Sequence, residues 1–179
     1  QAYAEYLAPD LDDGGLALAA AHDNVLVTRT FSKAYGIAGE RVRWAPGAPA
    51  LVDMLNRLRG AFNVTGGGQR AALAAIEDQD FVRATQKTNA EVRARFADRI
   101  ANLGNYGLSV VPSEANFSLV LFEGALRAEA AMGALADAGY AVRHLPSQGL
   151  PHALRVTIGT QAQMDEVAAI LQREAEAAG

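Results

Sequence analysis

Lys33 is one of two lysines in a chain that carries fourteen arginines. Arginine stays charged and cannot add to a carbonyl, so a composition rich in arginine that keeps this lysine marks a place where a primary amine is wanted. Around it runs Val25-Leu-Val-Thr-Arg-Thr-Phe-Ser-Lys33-Ala-Tyr-Gly-Ile-Ala-Gly-Glu-Arg41-Val-Arg-Trp44. Hydroxyls at Thr30 and Ser32 precede the amine, Gly36 and Gly39 close a turn, and Arg41 follows. A guanidinium with neutral hydroxyl donors is the chemistry of phosphate binding, and a cationic neighbour favours the free-amine form of a lysine. Far downstream, Leu154-Arg155-Val-Thr-Ile-Gly-Thr160 places an arginine at the opening of an apolar strand. A buried guanidinium demands an anion, supplied either by a ligand or by a structural ion pair.

The elements that must position these groups follow from periodicity. The apolar run Val25–Val27 reads as a buried strand that delivers Thr30, Ser32 and Lys33 into their turn, and Val42–Trp44 reads as a second strand with Arg41 at its start. On that strand Arg43 shares a face with Arg41 at i+2, so the two compete for the same phosphate. Asp10 to Gly15 is a loop, and Leu16–His22 a short helix. Pro49 suits the first turn of a helix over Ala50–Arg59, with Gly60 as its stop. The run Gly66-Gly-Gly68 opposes helix, which makes Phe62 to Gln69 a flexible connection to a helix over Arg70–Glu77. Asp80 to Leu103 is the longest periodic stretch, with Phe81, Val82, Val92, Phe96, Ile100 and Leu103 on a stripe. Arg83, Lys87, Arg93, Arg95 and Arg99 read as its solvated face. Beyond it come strands at Leu108–Val111 and Phe117–Phe122, a helix over Ala125–Ala138, strands at Ala141–His144 and Leu154–Ile158, and a helix over Gln161–Ala178. The alternation is that of an α/β chain ending in a small helix-covered sheet.

Composition bounds the remaining possibilities. With 179 residues, half of them hydrophobic, the chain can bury roughly 70% of its unfolded surface. A net charge of −4 gives no electrostatic footprint for nucleic acid, and no apolar run is long enough to span a membrane. Without cysteine there is no disulfide framework and no thiolate metal site, and His22, His144 and His152 show no metal-ligand spacing. Thr30-Phe-Ser-Lys33 meets a loose Ser/Thr-x-x-Lys pattern, but the Ser-Asp-Asn and Lys-Thr-Gly that acyl-transfer enzymes need downstream are missing. Asn63-Val-Thr65 matches a glycosylation sequon without any secretory sign beside it.

The stretch Thr30-Phe-Ser-Lys33-Ala-Tyr-Gly-Ile-Ala-Gly-Glu-Arg41-Val resembles the cofactor-lysine motif of fold-type I pyridoxal-phosphate aminotransferases, and most nearly that of the histidinol-phosphate aminotransferase family. The resemblance implies that Lys33 is the Schiff-base lysine and that Thr30, Ser32 and Arg41 bind the phosphate of pyridoxal 5'-phosphate. In Gln1-Ala-Tyr3, it implies that Tyr3 hydrogen-bonds the cofactor's phenolic oxygen. In the Leu154–Thr160 motif, Arg155 would grip a substrate carboxylate, or the phosphate of histidinol phosphate; Arg143 would help hold that phosphate. Asn116, in an Ala-Asn-Phe turn, would set an amide near the cleft. Residues 1–78 would then belong to the cofactor-binding large domain, and residues 79–179 to the interdomain helix and small C-terminal domain. Glu40 and Arg43 depart from the family pattern.

The same resemblance implies a homodimer that transfers an amino group between an amine donor and a 2-oxo acid, and the composition suits a soluble cytoplasmic protein. It leaves two near alternatives, an aromatic amino-acid aminotransferase and a threonine-phosphate decarboxylase. A third alternative, of another class, is a non-catalytic half-molecule serving dimerisation or complementation. The residues correspond to the C-terminal half of the family's length, and the aspartate expected to pair with the pyridine nitrogen would fall before Gln1. The chain alone is therefore expected to build an incomplete site.

Overall fold

In the computed structural model, which describes residues 1–8, 10–11 and 14–179, the lysine segment folds back on itself. Strand β1 (Arg29–Thr30) pairs antiparallel with β2 (Arg43–Trp44), Arg29 opposite Trp44 and Thr30 opposite Arg43. The same register reaches an isolated bridge between Leu26 and Gly47, but the ladder lapses between them. The Val27 N–H donates to the Pro46 carbonyl at 3.1 Å, and Pro46, lacking an N–H, returns nothing. The strand expected at Val25–Val27 is therefore a single bridge. Of the three, only Val27 is buried; Val25 and Leu26 are partly exposed.

Helix α1 spans Gly15–Ala21 and α2 spans Pro49–Leu58, with Pro49 in its first turn. The loop expected from Asp10 to Gly15 includes Asp12 and Asp13, which lie outside the described residues. Helix α3 (Gly66–Glu77) corrects the reading of the three glycines, which form its first turn. Thr65 is the N-cap, its hydroxyl accepting from the Gly68 N–H at 3.0 Å, and the N–H groups of a first turn have no intrahelical partner to lose. Gly68 is also closely packed. A Cβ there would stand 3.3 Å from the Glu40 carboxylate and 3.4 Å from the Val42 methyl.

Helix α4 runs over Gln79–Ala101, and the chain divides within it into two units, Gln1–Lys87 and Thr88–Gly179. A division placed at 78/79 would leave the opening of α4 in the second unit. Val82, however, packs with Tyr6 and Ala34 of the first. From Val92 onward the apolar stripe enters the larger core of the second unit.

That unit is built on β3 (Leu108–Val111), β4 (Phe117–Phe122), α5 (Ala128–Asp137), β5 (Arg143–Leu145), β6 (Leu150–Thr157) and α6 (Gln161–Ala178). The sheet order is β3-β4-β6-β5, antiparallel throughout. Strand β6 starts earlier than the expected Leu154, because Gly149 at φ +77 closes a tight turn after Pro146–Gln148 and pairing resumes at Leu150. Along β4 burial alternates, with Ser118, Val120 and Phe122 in the core. Val120 and Phe122 pack with Phe96, Ile100, Leu135, Leu154 and Leu171. Thr160 and Gln163 form a capping box that starts α6.

Candidate active site

Phe31 and Ala34 are buried on either side of Ser32 and Lys33, so the hydroxyl and the amine are held in a turn with packed ends. The Ile37 N–H donates to the Phe31 carbonyl and the Gly36 N–H to the Lys33 carbonyl. Gly36 takes φ +74, a conformation costly for any residue with a Cβ. Thr30 is buried, and its hydroxyl oxygen accepts from the Ser32 N–H at 3.1 Å. This leaves the Thr30 hydroxyl proton to be donated elsewhere.

Arg41 is not on a strand. It follows a 3-10 turn (Ala38–Glu40) in the left-handed conformation, φ 58 and ψ 30. The argument that Arg41 and Arg43 share a strand face fails for that reason, yet both reach the same space. The Arg41 guanidinium donates to the Ala38 carbonyl at 2.8 Å and stands 3.5 Å from the Ser32 hydroxyl. A cavity of about 240 Å³ is lined by Thr30, Ser32, Lys33, Arg41 and Arg43, with Arg29, Thr28, Gln1 and Ala2 completing the wall. Among the described residues, four cationic side chains and no carboxylate line it. Such a lining fits a phosphate dianion beside a reactive amine.

Tyr3 stands at the same site, its ring centroid 5.6 Å from the Lys33 amine nitrogen. Two further phenols surround it. Burial first, then Tyr3 and Glu5, push Tyr6 above the ordinary tyrosine value; burial and then Glu5 do the same to Tyr35. Glu5 was not singled out in the sequence. Its side chain is buried, 3.9 Å from Arg29, and Arg29 also lies over Trp44. Glu5 thereby balances one of the cavity's cations from behind. Its position two residues after Tyr3 in the same 3-10 turn is the signal that could have found it.

The second unit gathers the other expected groups. Arg143 on β5 and Arg155 on β6 are directly paired residues, so their side chains leave the same face of the sheet. Arg155 is interior to its strand, not at its opening, and its guanidinium lies 4.0 Å from the Phe117 ring centroid. Asn116 stands in the turn before β4, its carbonyl accepting from the Ile158 N–H at 2.9 Å. Arg93 corrects the view of α4 as solvated along all its arginines. Its side chain is largely buried, in an ion pair with Glu114 at 2.7 Å. Asn89, Arg93, Phe96 and Ile100 recur at four-, three- and four-residue steps on one helix face, a spacing visible in the sequence. Among the described residues no group of side chains is disposed to hold a metal ion, and no helix is long and apolar enough to cross a membrane.

The family model "Aminotransferase class I and II" matches residues 1–171. The chain belongs to the class I and II aminotransferases. Among members of that class, it is 65% identical over 178 residues to a histidinol-phosphate aminotransferase of Erythrobacter litoralis, covering 99% of this chain and 48% of the relative. It is 57% identical over 171 residues to one of Zymomonas mobilis, covering 96% and 46%. A solved histidinol-phosphate aminotransferase from Sinorhizobium meliloti, in complex with pyridoxal-5'-phosphate, superposes with a TM-score of 0.85 at 30% identity, covering 100% of this chain and 48% of that one. The chain thus spans about half the length of the curated relatives it matches, and its α/β fold is part of a fold-type I aminotransferase.

Proposed function

We propose that this chain is part of a pyridoxal-phosphate-dependent aminotransferase that exchanges an amino group between histidinol phosphate and 2-oxoglutarate, as a homodimer in the cytoplasm. The observation that carries the reading is the convergence of the Lys33 amine, the Thr30 and Ser32 hydroxyls and the Arg41 guanidinium on one cation-lined cavity. The relatives named for histidinol phosphate support the choice of substrate.

In this reading Arg41, Ser32 and Thr30 would hold the cofactor phosphate, the guanidinium contributing charge and the hydroxyls contributing neutral donors. Bound there, pyridoxal phosphate supplies an electron sink for the electrons of the substrate Cα–H bond. Lys33 would take the proton from the substrate Cα as general base and, as general acid, deliver it to the cofactor's C4′ carbon. Tyr3, beside that amine, would donate its phenol to the cofactor's ring oxygen. Arg155 would grip the anionic end of the substrate, with its paired neighbour Arg143 as second cation for a phosphate, and Asn116 would offer the substrate an amide. Held by its anion, the substrate presents its Cα–H bond in one orientation, which is where positioning accelerates the reaction.

The test is kcat/KM of the holoenzyme for histidinol phosphate, phenylalanine and threonine phosphate with 2-oxoglutarate as acceptor. Histidinol phosphate should lead by at least about tenfold, the equivalent of one charge-assisted contact. A preference for phenylalanine, or release of carbon dioxide from threonine phosphate, would overturn the substrate assignment.

A further inference from the structure

We infer that Arg93, which the proposed reaction does not use, is a positioning residue for Arg155, acting through the turn that carries Phe117. The Arg93 guanidinium spans two consecutive carbonyls, donating to Glu114 at 2.7 Å and Ala115 at 3.1 Å, while its other terminal nitrogen donates to the Glu114 carboxylate at 2.7 Å. One helical turn earlier, the buried Asn89 amide donates to the same Ala115 carbonyl at 3.3 Å. Helix α4 therefore grips the backbone of the Ser113–Asn116 turn at two levels. The turn's own bonds complete its shape. The Ser113 hydroxyl accepts from the Ala115 N–H and donates to the Phe117 carbonyl, both at 3.1 Å.

What leaves that turn is Phe117, and its ring lies against the Arg155 guanidinium at 4.0 Å. The contact holds one face of a long, rotamer-rich side chain, so the ordering cost is met before substrate arrives. The sequence of causes is Arg93 and Asn89, then the turn, then the Phe117 ring, then the plane of Arg155. The first step uses a planar fork, one terminal nitrogen on the two carbonyls and the other on the carboxylate, whereas a lysine offers a single donor nitrogen to serve both.

The inference rests on Arg155 being the substrate's anion anchor, and the experiment separates the two. In the holoenzyme, Arg93→Met should raise KM for both the amine donor and 2-oxoglutarate by about tenfold or more, the loss expected from hydrogen bonds to a charged group. Turnover should stay within about threefold and the visible absorbance of the cofactor should not change. Arg93→Lys should rescue little, and it carries the test if Arg93→Met does not fold. In a double-mutant cycle, Phe117→Leu added to Arg93→Met should worsen KM by far less than the product of the single effects, because both act on one element. A melting temperature lowered with both KM values unaltered, or effects that multiply, would overturn the positioning role. Arg155→Lys is measured alongside. If it leaves both KM values at wild type, the anchor assignment itself fails, whatever Arg93 does.

Discussion

Arg155→Ala tests the substrate grip most directly, because the structure sets both a floor and a ceiling for its effect. Truncating one partner of a desolvated charge pair costs about 2–5 kcal/mol. Arg155 is half-buried and lies against the Phe117 ring, which argues for a large value. Arg143, however, is its directly paired neighbour, with Cβ atoms of such pairs about 5 Å apart. An exposed arginine at that distance can take over part of the anion. The single variant is therefore expected near the lower bound, about 2 kcal/mol, or roughly thirtyfold in kcat/KM. The double variant Arg143→Ala/Arg155→Ala should approach the upper bound, about 5 kcal/mol and a loss of several thousandfold. Steady-state kinetics of both half-reactions supplies the readout, with the cofactor's visible absorbance as a control that the first unit is intact. Wild-type kcat/KM for both the amine donor and 2-oxoglutarate in Arg155→Ala would refute the reasoning.

Lys33→Ala should abolish transamination and borohydride-fixed cofactor while leaving the melting temperature nearly unchanged, since the side chain is half-exposed and packs no core. Arg41→Ala should weaken cofactor binding by about 1.5–3 kcal/mol, roughly ten- to a hundredfold by equilibrium titration; an equal or larger loss in Arg43→Ala would assign the phosphate to the wrong arginine. Asp165 responds to acid, because hydrogen bonds from Gln161 and then Arg99 hold its carboxyl below the ordinary value. Its folded pKa being the lower one, its stabilising effect is fully present above the ordinary carboxylate pKa of about 3.9 and fades as pH falls through the lowered value. Thermal melts between about pH 5 and pH 2 should show a small acid loss in wild type that Arg99→Ala reduces; identical pH profiles for the two proteins would count against the pairing.

Much of the second unit was legible because its elements obey simple periods. Alternation along Phe117–Phe122 gave a strand with the observed ends, and the stripe in Gln161–Ala178 gave the terminal helix with its buried Met164, Val167, Ile170 and Leu171. The lysine segment was harder, because its shape comes from features without a period. Pro46 interrupts a ladder from the opposite strand, and Arg41 adopts a backbone conformation that its residue type does not announce. Gly66–Gly68 misled for a related reason: propensity counts glycine against a helix wherever it falls, whereas the Thr65 cap makes a first turn of glycines workable. Arg93 was hidden by its company. Among several arginines on one helix, only position relative to the apolar face distinguishes the buried one.

The left-handed backbone at Arg41 sets local strain against phosphate binding at a single position. A residue with a Cβ held there gives up about 1–2 kcal/mol relative to the right-handed form, an amount that glycine would not lose. Arg41→Gly would relieve that strain but also remove the 2.8 Å hydrogen bond to the Ala38 carbonyl and free the unfolded chain, so its melting temperature should stay close to wild type while its hold on the phosphate weakens as in Arg41→Ala. An engineering campaign that ranked variants by thermal denaturation without cofactor would not register that loss and would carry a weakened site into its later rounds.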